Sequence, residues 1–249
     1  MSDTLHINEI FSSIQGEGFL AGRRQLFIRL TGCNLDCRYC DTVQQSADPC
    51  RIETRAGSAA FTPFSQPLAL DTVSEILTDW TTALPGAHHS ISLTGGEPLL
   101  CADTLSAWLP ELRRHLPIHL ETNGTLHRAM EQVAEHIDYI SMDIKLPSTA
   151  GCREHLWDRH RLFLLAARTR TVSVKVVVSD DTPPDEIRQA CDIIAAVDPA
   201  IPLFLQPLSL SCGGIGISGA HILSLQEVAA SLLTDVRVIP QMHKLLKVL

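Results

Sequence analysis

QLFIRLTGCNLDCRYCDT, residues 25–42, joins an apolar run to three cysteines, Cys33, Cys37 and Cys40. The run reads as a β-strand, so the thiols follow its C-terminal end. Outward from this stretch the same unit recurs, a short apolar run followed by an amphipathic one. Candidate strands lie at 25–30, 90–94, 118–122, 138–144, 171–178, 201–206 and 235–239. Several are Ile/Val/Leu runs, as expected of a parallel sheet covered on both faces. Val73, Ile76, Leu77, Trp80 and Leu84 mark a helix behind an N-cap at Asp71, and Leu105, Leu109, Leu112 and Leu116 mark another. Further helices are expected near 126–136, 153–167, 185–197 and 221–233. This alternation predicts right-handed βαβ units in a doubly wound sheet or a full or partial barrel. Either form places an active site at the carboxyl ends of its strands. Residues 1–249 read as a single domain. Residues 43–70 break the rhythm: they hold three prolines and no periodicity, and read as an inserted loop able to cover the site.

A chain of 249 residues is long enough to bury a sizeable core, and its 45% hydrophobic content is that of a soluble globular protein. The formal net charge of −8 argues against a broad nucleic-acid-binding face. No run approaches the ~18 apolar residues of a membrane span. The opening MSDTLHINEIFSS has neither the basic nor the apolar region of a signal peptide. A cytoplasmic protein is expected, with its eight cysteines serving as ligands or buried thiols rather than disulfides.

The spacing CxxxCxxC lets one loop wrap its thiolates around a compact centre. A structural zinc site would need a fourth ligand. The other cysteines, at 50, 101, 152, 191 and 212, are scattered singly. Cys101, Cys152 and Cys191 read as buried thiols, and Cys50 competes for a fourth-ligand role on proximity alone. A [4Fe–4S] cluster takes one thiolate per iron, so three cysteines would leave one iron open. The next strand, in SISLTGGEPLL (90–100), ends in Gly95-Gly96-Glu97-Pro98, a glycine turn that admits close backbone approach.

Together, CxxxCxxC with Tyr39 before its last cysteine and the GGEP turn resemble the signature of the radical S-adenosylmethionine (SAM) enzymes. That resemblance implies a partial (β/α)6-type TIM barrel with the cluster loop after the first barrel strand. It also implies a [4Fe–4S] cluster whose open iron binds SAM. Further segments, EIFSSIQGEG (9–18), GRRQLFIRLTGCNLDCRYCDT (22–42), LETNGT (120–125), MDIKLPS (142–148) and RVIPQMHKLL (237–246), resemble the 7-carboxy-7-deazaguanine synthase family.

The implied reaction is the SAM- and Mg²⁺-dependent ring contraction of 6-carboxy-5,6,7,8-tetrahydropterin with loss of ammonia. No side chain is implied to be catalytic, the chemistry being that of a 5′-deoxyadenosyl radical. Ile14, Gln15, Gly16, Arg29, Thr94, Glu121 and Leu249 are implied substrate contacts. Arg29 would take the substrate carboxylate in its guanidinium fork, and Glu121 the guanidine-like edge of the pterin. Tyr39, Cys40, Asp41, Gly96, Glu97, Asp143, Ile144 and Lys145 would face SAM, with Glu97 near its ammonium. Cys33, Cys37 and Cys40 would hold the cluster and Thr42 the Mg²⁺. Gln206 and His243 divide evenly between site and packing roles, and His88 and His89 read as solvated loop. DIK stands where the family commonly has SPK, and Lys247 where a glycine is frequent. Expected partners are the pterin, a reductant such as flavodoxin or ferredoxin, and a second copy of the chain. The competing readings are a glycyl-radical-enzyme activating enzyme and a zinc-loop binding module.

Overall fold

The computed structural model describes residues 4–40, 42, 49–152 and 156–249. In chain order, β1 (Thr4–Leu5), β2 (Ile7–Ile14), β3 (Arg24–Leu30), β4 (Cys50–Glu53), β5 (Phe61–Phe64) and β6 (Leu68–Ala69) precede the first helix, α1 (Leu70–Ala83). Then come β7 (Ser90–Gly95), α2 (Ala102–His115), β8 (Ile118–Thr122), α3 (His127–Val133), β9 (Tyr139–Asp143), α4 (Pro147–Ala150) and α5 (Trp157–Ala167). The chain ends with β10 (Thr171–Val178), α6 (Pro184–Ala195), β11 (Leu203–Pro207), α7 (Gly219–Ala230), β12 (Val236–Val238) and α8 (Met242–Leu246).

Ten strands form one open sheet in the order β12-β11-β10-β9-β8-β7-β3-β2-β4-β5. The seven strands β3 and β7 to β12 pair parallel along this run, which forms the parallel wall of the expected partial (β/α) barrel. Its strands alternate in a way their composition hides. In β10, Val172, Val174, Val176 and Val178 join the hydrophobic core under the helices, while Ser173, Lys175 and Val177 line the concave face. Likewise β3 gives Leu26, Ile28 and Leu30 to the core and keeps Gln25, Phe27 and Arg29 for the interior. The helices close the outside by ordinary periodicity. In α6, Ile187, Ala190, Cys191 and Ile194 are buried at i, i+3, i+4 and i+7, behind Pro184 in its first turn.

Three expectations need correction. Asp71 does not cap α1; Ala69 is the extended N-cap, and Asp71 lies in the first turn, where its charge favours the helix dipole. The N-terminal segment, given no strand, forms β2, antiparallel to β3 and fastened by stacking of Phe11 on Phe27 at 4.9 Å between centroids. Residues 43–70 are not one inserted loop. Residues 43–48 lie outside the described residues, but β4 pairs parallel to β2 and antiparallel to β5, extending the sheet. Cys50 and Ile52 are buried there, so Cys50 is a core residue rather than a fourth ligand. Two buried apolar positions are too few to show as periodicity.

Candidate active site at the carboxyl ends of the strands

One cavity of about 480 Å³ opens at the carboxyl ends of the parallel strands. Sheet register sets the order of the side chains that line it. Arg29 of β3 is paired with Thr94 of β7, Glu121 of β8 with Ser141 of β9, and Ser141 with Ser173 of β10. One step further out, Asp143 of β9 is paired with Lys175 of β10. The rim is completed by Ile14, Gln15 and Gly16 after β2, by the cysteine loop after β3, and by the C-terminal arm.

Of the residues singled out from sequence, Ile14, Gln15, Gly16, Arg29, Cys33, Cys37, Tyr39, Cys40, Thr42, Thr94, Gly96, Glu121, Asp143, Lys145 and Leu249 all line this cavity. Gln206 and His243 line it too. Arg29 donates from Nε to Glu9 at 2.8 Å and lies 5.4 Å over the Phe11 ring. Gln15 is almost wholly buried, and its amide is spent on the protein. Nε2 donates to Gln25 at 3.0 Å and to Glu121 at 2.9 Å, while Oε1 accepts from the Glu17 amide at 3.0 Å.

A chain of alternating charge, which the sequence reading missed beyond Asp143 and Lys145, crosses the outer side. Lys145 Nζ donates to Asp143 at 2.7 Å and to the Tyr39 hydroxyl at 3.2 Å. Lys175 bridges Asp143, at 3.3 Å, and Glu17. Glu17 also accepts from Gln241 at 2.6 Å, which moors the C-terminal arm. Burial works against ionisation of Glu17 and Asp143, yet the neighbouring ammonium groups hold both carboxyls below their ordinary range. Burial likewise opposes the charge on Lys145, but Asp143 raises its pKa well above the usual lysine value.

The cysteine loop is held from three sides. Arg38 donates from its amide to Ala150 O at 2.9 Å and from its guanidinium to Ser148 O at 3.0 Å. Asn123 donates to Asn34 at 2.8 Å, with Cys33 Sγ 3.8 Å away. The Glu97 amide donates to Gly32 O at 2.9 Å. Burial, with Cys152 and Asp143 adding to it and Lys145 opposing, pushes the Cys37 thiol up to about 12. Cys152 is close enough to Cys37 to influence its thiol but does not line the cavity. Among the described residues the three loop thiols are not gathered on one metal position. A cuboidal cluster, taking one thiolate per iron, asks instead for thiols spread over separate corners. On the cavity that the three cysteines line, Asp143 Oδ1 and Gln206 Oε1 are buried without partners, which fits a polar ligand such as SAM held beside a cluster on those thiols.

Two expected SAM contacts are placed differently. Glu97 is fully buried and faces away from the cavity, where it accepts from the amides of Leu99 (3.1 Å) and Asn123 (2.7 Å) and from the Thr122 hydroxyl (2.9 Å). It ties the β7 and β8 loops together, and burial raises its pKa to about 7 despite those donors. Ile144 is a core side chain. Asp41 lies outside the described residues.

Gly96 does serve close approach, but its lateral neighbour is the cysteine loop. A Cβ there would lie 1.8 Å from Gly32 O. Gly96→Ala is therefore expected to push the loop off β7, at a cost of about 1–3 kcal/mol for the forced contact. It should at least halve iron retained after anaerobic reconstitution. Gly219→Ala, with nothing within 4 Å, should retain wild-type iron. Equal iron in both variants would show that this contact does not position the loop.

A barrel of this topology with a three-thiol loop after its first parallel strand defines the radical SAM class, and residues 27–192 match the Radical SAM superfamily. The crystal structure of QueE from Escherichia coli superposes with a TM-score of 0.58 at 22% identity, covering 96% of this chain and 94% of that one. More specifically, the chain is 51% identical to the 7-carboxy-7-deazaguanine synthase of Geobacter sulfurreducens, over 96% of its own length and 95% of the relative's. The enzyme of the same name from Methanothermobacter thermautotrophicus is 36% identical, with 96% of each chain covered. The chain belongs to the 7-carboxy-7-deazaguanine synthase family of radical SAM enzymes.

Proposed function

We propose that this chain converts 6-carboxy-5,6,7,8-tetrahydropterin to 7-carboxy-7-deazaguanine with loss of ammonia, in the cytoplasm, as a homodimer and as one domain. The observation carrying this reading is that one cavity joins the cysteine loop to both an arginine and a carboxylate, Arg29 and Glu121. Cys33, Cys37 and Cys40 would hold a [4Fe–4S] cluster, which with SAM would supply one-electron, hydrogen-abstracting chemistry. An electron-transfer protein such as flavodoxin or ferredoxin delivers the electron.

The chain's own residues bind and orient. Arg29 spends Nε on Glu9 and keeps its terminal nitrogens for the substrate carboxylate. Glu121 Oε1 already accepts from Gln15 and Ser92, which leaves Oε2 for the guanidine-like edge of the pterin. Tyr39, Gly96, Asp143 and Lys145 form the wall assigned to SAM. Thr42 would hold Mg²⁺, and the ion would supply Lewis-acid polarisation of the substrate carboxylate. The C-terminal arm adds Gln241, His243 and Leu249, and Ser13 Oγ donates to Leu249 O at 2.7 Å. An arm so placed keeps water from a reactive radical. Among the described residues no helix is long and apolar enough to cross a membrane.

Anaerobic incubation of reconstituted enzyme with reductant, SAM, Mg²⁺ and the carboxytetrahydropterin should yield deazaguanine product and ammonia. Thr42→Ala should lose the stimulation by Mg²⁺ while retaining its iron. Absence of product from a fully reconstituted enzyme would refute the reading.

A further inference from the structure

Beneath the substrate wall lies a run of buried polar side chains whose hydrogen-bond direction can be worked out from both ends. At one end the Glu17 amide, which can only donate, points at Gln15 Oε1 at 3.0 Å. At the other end of that amide, Gln15 Nε2 meets the Glu121 carboxylate at 2.9 Å. Both contacts demand the same orientation of Gln15, so its NH₂ group faces Gln25. Gln25 must therefore turn its Oε1 to Gln15, at 3.0 Å, and its own Nε2 to Ser90 Oγ at 2.6 Å and His119 Nδ1 at 3.2 Å. An amide nitrogen carries no accepting lone pair. His119 Nδ1 is consequently the acceptor, and the ring carries its proton on Nε2.

Ser92 also lies 3.4 Å from Nδ1, but its hydrogen goes to Glu121 at 2.6 Å. From Nε2 the ring donates to Ser141 Oγ at 2.8 Å. Burial keeps this imidazole neutral, with a pKa near 4, so a second ring proton does not blur the assignment at neutral pH.

The consequence falls on Ser141. Its oxygen receives the imidazole N–H, so its own hydrogen is directed onward, and Ser141 lines the cavity beside its register partner Glu121. We propose that Ser141 is a substrate-reading residue, a hydrogen-bond donor for the ring carbonyl oxygen of the pterin, and that His119 positions it. The inference rests on the pterin reading above. A 2-amino-4-oxopyrimidine edge presents two donors, the amino group and N3–H, followed by one acceptor, the 4-oxo oxygen. Glu121 followed by a donating Ser141 is the complementary sequence: a carboxylate for the two donors, then a hydroxyl hydrogen for the acceptor. A ring with an amino group in place of that oxygen would meet the hydroxyl hydrogen with its own, so the pair would also select among pteridines.

The test separates this inference from the function it builds on. Binding of the carboxytetrahydropterin to reconstituted, SAM-loaded enzyme is measured by equilibrium dialysis without reductant. Ser141→Ala should bind about tenfold more weakly, the loss of one hydrogen bond that leaves a desolvated carbonyl unmet. His119→Gln keeps a donor toward Ser141 and should stay within about threefold of wild type. Wild type failing to bind refutes the assigned substrate and this inference with it. Wild type binding with Ser141→Ala unchanged refutes the inference alone. Independently of any substrate, the ¹⁵N spectrum of histidine-labelled enzyme, with His119 assigned by loss of its signals in His119→Gln, should show the Nε2-protonated tautomer. An Nδ1-protonated ring would overturn the proposal.

Discussion

Lys175→Met is expected to lower the unfolding free energy by about 3 kcal/mol, seen as a lower urea midpoint with an unchanged slope. The side chain is only 15% exposed and stands between two acids, Glu17 and Asp143. Asp143 would keep Lys145 at 2.7 Å, but Glu17 would keep only amide donors, Gln241 at 2.6 Å and Gln206 at 3.3 Å. Most of the loss thus comes from stranding the Glu17 carboxylate rather than from the ion pair itself, since removing one partner of a buried pair costs more than removing both. Glu17→Gln combined with Lys175→Met should recover about half of the loss, and the double-mutant cycle reads the coupling. A Lys175→Met midpoint equal to wild type would mean that water in the cavity already screens these charges. Because Glu17 moors Gln241, hydrogen exchange over α8 should quicken in the same variant.

Much of the site was legible because its residues are clustered in short strand-end segments whose spacing survives in the sequence. The three thiols, the GGEP turn and the strand-end Arg29 could be found without any tertiary information. What escaped was whatever depends on alternation within an apolar strand. TVSVKVVV reads as a buried β-run, yet Ser173 and Lys175 face inward with the site while the four even-numbered valines feed the core. The same holds for SISLT, whose serines line the polar barrel interior. Glu97 was misplaced for a related reason: a carboxylate after two glycines sits beside the ligand wall in sequence, but three donors from the β7 and β8 loops draw it inward. The β4–β5 extension was missed because strands of four residues show two core positions at most, and prolines at 63 and 67 read as loop. Its place at the sheet edge is what makes a strand proline tolerable.

Acid should destabilise the fold well before its carboxylates titrate as a group. Three histidines are held neutral in the native chain: burial lowers His88, His119 and His160 to about 4 each, with the Arg24 charge helping at His88. The bonding explains why. His160 Nε2 accepts from the Lys145 amide at 3.1 Å while Nδ1 faces Gly124 O at 3.1 Å, so a second proton would break the first contact. His119 Nδ1 likewise accepts from Gln25. When unfolded, each ring takes its proton near pH 6.5. Between there and about pH 4 the unfolded chain binds more protons, so stability is fully present above the unfolded value and is lost as pH falls. Glu97 acts in the opposite sense. Its raised value of about 7 makes the native chain the better proton acceptor between that pH and 4.5, so it gains stability over the same descent. Three groups outweigh one, and the net loss from pH 7 to pH 5 is on the order of 3 kcal/mol, measured as a falling urea midpoint. His160→Gln, which retains a side-chain amide at the site, should remove roughly a third of the histidine contribution and flatten the profile accordingly. A midpoint that holds steady or rises toward pH 5 would mean that Glu97, rather than the three rings, governs the acid limb.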